Sequence, residues 1–142
     1  MAPTANSIRF LGTAGGRWVV AKQIRASGGI YLQLEGKRIL MDPGPGSLVR
    51  CAQTEPPIEV AELDAVLLTH AHIDHCNDVN IIIDAMTAGG IFRRGTLFAP
   101  RQCIEGDNAV VYNYVRRFLH DIVPIEPSGT YALGNLHFKT SI

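Results

Sequence analysis

The chain has 142 residues, 46% of them hydrophobic, which is enough for one ordinary domain with its own core. The 13 basic residues balance the 13 acidic ones, so the net charge indicates no attraction to nucleic acid or to a membrane, and no apolar stretch approaches the length of a spanning helix. The three cysteines form no CxxC pair and residues 1–6 do not resemble a signal peptide, so we expect free thiols and a cytoplasmic protein.

Apolar residues, glycines and prolines divide the chain into strands and helices. Strands are predicted at residues 7–12, 30–34, 38–41, 63–69, 96–99, 121–125, 130–133 and 136–141. Helices are predicted at residues 47–53, 78–86 and 108–119. This order predicts a mixed α/β fold in which helices cover a sheet.

Four local patterns carry most of this prediction. The short continuous apolar run at residues 65–68 is typical of a strand buried on both faces. Residues 42–46, which read DPGPG, predict a loop that no regular element tolerates. Ser47 then has the chemistry of an N-cap for the following helix. The segment 108–119 has the clearest helical stripe of apolar side chains.

A cluster of metal-binding side chains follows the buried strand. The chain has five histidines, and His70, His72 and His75 lie beside Asp74 in the segment THAHIDH. His70 and His72 are two residues apart, so both can point the same way from an extended segment. Imidazole and carboxylate groups are preferred ligands of zinc and related metals, and ligands collect at the carboxyl ends of strands in open α/β sheets. The alternative interpretation is a polar helix cap with surface histidines.

The segment 69–75 resembles the HxHxDH signature of the metallo-β-lactamase superfamily. Three other stretches resemble the phosphodiesterase and transfer-RNA 3′-end nuclease branch of that superfamily. Residues 10–16 resemble its opening strand and loop, residues 27–29 its turn into the second strand, and residues 38–46 its strand that ends in an aspartate and a glycine-rich loop. The resemblance extends well from residue 8 to about residue 88, and beyond that only by the order of elements.

This resemblance implies roles for individual residues. His70 and His72 would bind a first divalent metal ion, and Asp74 and His75 a second. Asp74 would also orient or deprotonate the attacking water, which two adjacent metals make more acidic. Zinc is the first choice for both ions, with manganese or iron as alternatives.

Two further residues are expected to support the ligands. Asp42 and Thr69 would hold them in place by hydrogen bonds, as groups behind metal ligands commonly do. For Asp42, a simple turn or Asx cap is an equally good interpretation. Cys76 is either a soft metal donor or, as we prefer, a small buried thiol, and Asp78 fits a helix N-cap better than an extra ligand.

The resemblance also implies a fold and a domain. The superfamily forms an αββα sandwich with two similar halves, and residues 1–142 correspond to about one αβ half, the N-terminal part of a single domain that is apparently truncated at its C-terminal end. The family's later ligands have no clear counterpart, because His120 is expected at the surface and His137 inside a strand. We expect the uncovered inner face of the sheet to promote self-association, most simply as a homo-oligomer.

For the full-length protein, the functional hypothesis is a metal-dependent hydrolase that activates water at a dinuclear centre and cleaves a phosphodiester, in a small molecule or a nucleic acid. The sequence leaves open whether residues 1–142 alone are active. Hydrolysis of a thioester, lactone or lactam is the alternative reaction, and a non-catalytic assembly or binding module is the alternative outside enzymes. The glycine-rich loop at residues 12–16 fits a tight turn better than a phosphate cradle. The arginine pairs at 93–94 and 116–117 fit a solvated surface better than a phosphate-binding one. Nothing distinguishes Trp18 and Tyr31 from ordinary packing residues.

Overall fold

The computed structural model describes residues 5–141. Its strands are β1 (Ser7–Phe10), β2 (Ile30–Leu34), β3 (Lys37–Met41), β4 (Ala65–Leu67), β5 (Thr96–Pro100), β6 (Asp121–Ile125), β7 (Thr130–Leu133) and β8 (Leu136–Lys139). Its helices are α1 (Arg17–Lys22), α2 (Ser47–Gln53), α3 (Ile73–Cys76), α4 (Val79–Met86), α5 (Arg101–Ile104) and α6 (Asn113–Arg116), with a 3₁₀ turn at Val60–Glu62. The predicted mixed α/β fold is confirmed.

One six-stranded sheet, in the order β1-β2-β3-β4-β5-β6, organises the chain. The first three strands pair antiparallel, and β3 to β6 pair parallel. All residues of β4 are buried, as their continuous apolar run predicts. In the register of β3 and β4, Met41 lies beside Leu67, so both strands end at the same edge of the sheet. Whatever follows these two strands is therefore brought together.

The two faces of the sheet are covered differently. On one face, α4 buries Val79, Ile82, Ile83 and Met86, the side chains that its helical spacing places together. On the other face, hereafter the inner face, the hairpin β7–β8 packs on the sheet through Phe138, whose ring meets that of Phe98 edge-on at 5.1 Å between centroids. This hairpin covers only part of the inner face.

Between the hairpin and the sheet lies an apolar groove of about 480 Å³, lined by sheet residues such as Leu32, Met41 and Leu67 and by residues of β8. Ile8 lies opposite Leu32 in the register of β1 and β2 and therefore points to the same face. Its side chain is 60% exposed. Along the described part of the chain, no helix is both long enough and apolar enough to cross a membrane.

The helix predicted at residues 108–119 is largely wrong. Only Asn113–Arg116 is helical, because the preceding residues take hydrogen bonds from elsewhere in the fold. The amides of Val110 and Val111 both donate to the Cys103 carbonyl at 3.0 Å. The Asn80 side chain donates to the Val110 carbonyl at 2.8 Å and accepts from the Tyr112 amide at 2.9 Å. These tertiary bonds outweigh a weak helix propensity at two adjacent valines.

The predicted N-caps at Ser47 and Asp78 also need correction. Gly46 precedes α2, and Ser47 is its first helical residue. Asp78 occupies the cap position of α4 but makes no side-chain bond there. Its Oδ2 instead accepts from the Leu48 amide at 3.1 Å, in the first turn of α2. The carboxylate therefore joins two helices rather than capping its own.

Candidate metal centre

The centre is built where β3 and β4 end side by side. Asp42 follows β3, and its amide donates to the Leu67 carbonyl at 2.8 Å, one step beyond the parallel strand pairing. At that point the backbone of Asp42 turns to a φ of 47°. Aspartate is among the few residues with a side chain that enter this left-handed region readily. The turn directs the carboxylate of Asp42 toward the residues that follow β4.

A close backbone contact fixes the loop after Asp42 against the histidine cluster. A Cβ at Gly44 would lie closer than 3.0 Å to the carbonyl oxygen of Asp74, so only glycine fits here. The buried hydroxyl of Ser47 donates to the Gly44 carbonyl at 2.8 Å and accepts from the Gly29 amide at 3.0 Å. The sequence indicated a loop, but it gave no sign that Gly44 supports the backbone of Asp74.

Asp42 lies at the centre of the hydrogen bonds in this cluster. Its Oδ1 accepts from the Thr69 amide at 2.7 Å, and its Oδ2 accepts from the Thr69 hydroxyl at 2.6 Å. The same Oδ2 lies 3.1 Å from Nδ1 of His75. The Thr69 hydroxyl is in turn 2.9 Å from Nδ1 of His70. The simple-turn interpretation of Asp42 therefore omits most of its contacts.

The three histidine rings and Asp74 form one group. The His70 ring lies 4.6 Å from the His72 ring and 4.3 Å from the His75 ring, between centroids. Nε2 of His75 is 3.8 Å from Oδ2 of Asp74, which is too long for a hydrogen bond. The His75 ring thus has one nitrogen toward Asp42 and the other toward Asp74. The three rings and the Asp74 carboxylate therefore lie at the same edge of the sheet.

The donor set fits a divalent metal ion. Within residues 5–141, one group of side chains has donor atoms that all lie within 4.8 Å of one another, and it consists of Asp42, His70 and His75. His72 and Asp74 adjoin this group through the ring and carboxylate contacts above. Imidazole nitrogens and carboxylate oxygens at such spacing suit zinc and similar ions. The geometric group includes Asp42, which the sequence predicted as a supporting residue.

Local electrostatics favour a neutral imidazole at His70. Burial, reinforced by the neighbouring His75 and His72 rings, lowers the pKa of His70, so its imidazole stays neutral and able to bind metal. Burial, followed by the charges of Asp42 and Asp74, raises the pKa of Cys76. Because the thiolate is the form that binds metal, this shift favours the buried-thiol interpretation. All three cysteines are free and buried.

The other nominated residues lie apart from this chemistry or have structural partners. His120 and His137 are exposed. The carbonyl of Ala26 packs so closely on Gly12 that a Cβ could not be added, which supports the tight-turn interpretation of that loop. The paired arginines differ in their surroundings. Arg94 donates hydrogen bonds to the carbonyls of Ala61 and Leu63, whereas the side chain of Arg117 is exposed. Tyr31 is buried and Trp18 is 83% exposed.

Comparison with known proteins places this centre in a family. Residues 37–141 match the beta-lactamase superfamily domain. The uncharacterized protein MJ1374 of Methanocaldococcus jannaschii is 32% identical over 137 residues, which cover 94% of this chain and 51% of that protein. Ribonuclease Z of Thermoplasma volcanium is 29% identical over 137 residues, covering 95% of this chain and 43% of that enzyme. The chain spans about half the length of these relatives.

Solved structures show the same fold. The metallo-beta-lactamase fold protein YhfI from Bacillus subtilis superimposes with a TM-score of 0.57 at 23% identity, over 78% of this chain and 43% of that one. A diphosphatase from the PhnP family superimposes with a TM-score of 0.52 at 22% identity, over 81% of this chain and 42% of that one. The part of each structure that matches contains about two fifths of its residues.

Proposed function

The chain belongs to the metallo-β-lactamase superfamily, and we propose that it is a metal-dependent hydrolase that cleaves a phosphodiester. The observation that carries the proposal is the cluster at the edge where β3 and β4 end, in which donor atoms of Asp42, His70 and His75 lie within 4.8 Å of one another. His72 adjoins this cluster through its ring and Asp74 through its carboxylate. A hydrolytic metal site needs several neutral nitrogen donors and a carboxylate close together, and this edge supplies them.

The residues of the centre are assigned separate roles as metal ligands, proton acceptor and supporting residues. His70 and His72 would hold one divalent ion, and Asp74 with His75 a second, most simply zinc. Bound metal would supply Lewis acidity toward a phosphoryl oxygen and lower the pKa of water. The Gly44 contact constrains the backbone of Asp74, whose carboxylate would accept a proton from an attacking water. Asp42 and Thr69 orient the histidines rather than touch the substrate.

Two comparisons support a phosphorus ester as the substrate class. The relatives named ribonuclease Z act on RNA, and the PhnP-family neighbour is named a diphosphatase. Both names denote hydrolysis at phosphorus, whereas a thioester, lactone or lactam would require attack at carbon. We therefore prefer a phosphodiester, in RNA or in a small molecule.

The proposal also concerns how this chain fits into the complete αββα sandwich. The described unit has a six-stranded sheet with helices on one face and, on the other, a largely apolar inner face that the hairpin β7–β8 covers in part. It matches about half the length of its relatives. We infer that it is one αβ half of the sandwich and that a second αβ unit, in the same assembly, covers the inner face around Ile8 and Leu32. Association of copies of this chain through that face is one way to cover it.

Metal analysis tests the ligand assignment. The purified 142-residue chain, equilibrated with zinc and passed through a desalting column, should retain metal by elemental analysis. The double variant His70→Ala, His72→Ala should lose it, and His120→Ala, which removes an exposed histidine outside the cluster, should not. Equal metal content in all three proteins would remove the basis of the proposal.

Turnover tests the reaction. Hydrolysis of bis-p-nitrophenyl phosphate should depend on added zinc, manganese or iron and should disappear in Asp74→Ala while His120→Ala stays active. A matched assay with a thioester and a lactone substrate measures the alternative reactions. Cleavage of those substrates without phosphodiester cleavage would replace the proposed substrate class. No turnover of any substrate by the metal-loaded chain assembled with its second αβ unit would favour a binding module.

A further inference from the structure

We propose that Thr69 is a positioning residue that relays the carboxylate of Asp42 to His70, so that one aspartate fixes the ring orientation of two metal-binding histidines. This inference rests on the proposed metal site and concerns residues behind it. His75 reaches Asp42 directly, at 3.1 Å from its Nδ1 to Oδ2. His70 reaches the same oxygen only through the Thr69 hydroxyl, in steps of 2.9 Å and 2.6 Å.

The direction of each hydrogen bond follows from counting protons. An ionised carboxylate only accepts, so the Thr69 hydroxyl must donate its single proton to Oδ2 of Asp42. The hydroxyl oxygen then has only lone pairs to offer His70. Nδ1 of His70 must therefore carry the ring proton and donate it to Thr69. The same reasoning makes Nδ1 of His75 a donor to Asp42.

The consequence is that both rings present an unprotonated Nε2. A neutral imidazole has one N–H and one lone pair, and the bond made by one nitrogen decides which is which. In His75, the free nitrogen faces Asp74 across 3.8 Å, on the side away from Asp42. Nε2 of His75 thus lies on the side of the ring away from Asp42, and the Nδ1 bond of His70 leaves Nε2 as the nitrogen available to a metal.

The position of Thr69 suits this role. Its amide also donates to Oδ1 of Asp42 at 2.7 Å. The backbone and the side chain of Thr69 therefore each donate a hydrogen bond to one oxygen of the Asp42 carboxylate. A β-branched side chain has few rotamers available, which keeps the hydroxyl aimed. Asp42 is only 13% exposed, so these bonds face little competition from water.

A competing arrangement exists, because Asp42, His70 and His75 have donor atoms within 4.8 Å of one another and could bind an ion as a trio. Asp42 would then be a ligand, and its bond to Thr69 would be incidental. The relay predicts that removing the Thr69 hydroxyl affects His70 but not His75. The trio predicts no such difference, since Thr69 would not determine the lone pair of either ring.

The test reads the ring protons directly. Long-range ¹H–¹⁵N spectra of the imidazoles are recorded at one fixed alkaline pH for metal-free and zinc-loaded protein, with His70→Gln and His75→Gln to assign signals. We expect Nδ1–H on both rings in the wild type. In Thr69→Val, His70 should lose this preference while His75 keeps it, and Thr69→Ser should restore it.

Zinc affinity, measured by competition with a chromogenic chelator, should fall about 10- to 100-fold in Thr69→Val, as it does when other residues behind metal ligands are removed. In Thr69→Ser it should stay within about threefold of the wild-type value. Backbone spectra check the fold of each variant, and Thr69→Ala is used if Thr69→Val does not fold. A wild-type His70 protonated on Nε2 overturns the relay whatever the variants do. The relay is also overturned if Asp42→Asn loses zinc while Thr69→Val binds it as tightly as the wild type, because Asp42 would then be a ligand of the metal.

This outcome is separate from that of the proposed function. The proton positions are measured on the chain without substrate, so absence of turnover leaves them unchanged. A chain that hydrolyses phosphodiesters but shows Nε2–H on His70 would retain its function and lose the relay.

Discussion

Gly44 gives a sharp test of how the loop after β3 supports the metal centre. A Cβ added at Gly44 would lie closer than 3.0 Å to the carbonyl oxygen of Asp74 and 3.1 Å from its carbonyl carbon. Ordinary contact begins near 3.4 Å. The Gly44→Ala variant must therefore separate two backbone segments by roughly 1 Å, which typically costs about 1–3 kcal/mol as overpacking.

The same displacement should reach the metal. Ligand distances in metal sites hold to about 0.2 Å, so a shift of roughly 1 Å at Asp74 exceeds what a bound ion tolerates. We expect the free energy of unfolding in urea to fall by about 1–3 kcal/mol and zinc affinity to fall at least about 10-fold.

Gly15 supplies the control for this experiment. A Cβ at Gly15 would meet nothing within 4 Å, and its φ is not in the left-handed region. Gly15→Ala should therefore unfold at the same urea concentration as the wild type and bind zinc equally well. If Gly44→Ala matches Gly15→Ala in both measurements, the close contact with Asp74 has no energetic role and the reasoning is refuted.

Other predictions follow from buried groups and from the metal. Asp78→Ala should lower the free energy of unfolding by about 1 kcal/mol, because α2 loses an amide acceptor in its first turn. Burial raises the pKa of Cys51 and Cys103 to about 11, so both thiols should react with iodoacetamide only in denaturant. Zinc at 100 times its Kd should add about 2.7 kcal/mol to the free energy of unfolding in the wild type and His120→Ala, but not in His70→Ala.

The cysteines also predict a pH dependence. A thiol whose pKa is higher in the folded state than in the unfolded chain makes the fold bind more protons, so its stabilising contribution is full below about pH 9. That contribution should be lost as the pH rises to about 11. Urea unfolding at intervals across this range should show the decline, and a smaller decline in Cys51→Ala. An unchanged free energy of unfolding would show that these thiols ionise alike in both states.

The predictable parts of the structure were those with strong local patterns. The apolar run at residues 65–68 predicted a buried strand, and β4 is buried throughout. The stripe between Val79 and Met86 predicted the face of α4 that meets the core. At residues 108–119 an equally clear stripe failed, because Cys103 and Asn80 supply hydrogen-bond partners that lie close only after the chain has folded.

The sequence by itself determined which side chains are available for metal chemistry, since the spacing of His70, His72, Asp74 and His75 is a local property of six consecutive residues. The family resemblance named Asp42 and Thr69 as supporting residues, but only the tertiary structure showed which hydrogen bonds they make. Asp42 lies 27 positions before Thr69, and their bonds depend on β3 and β4 ending side by side. Local patterns record periodicity and composition, whereas a contact between distant segments is set by the register of strands, so it appears only in the folded chain.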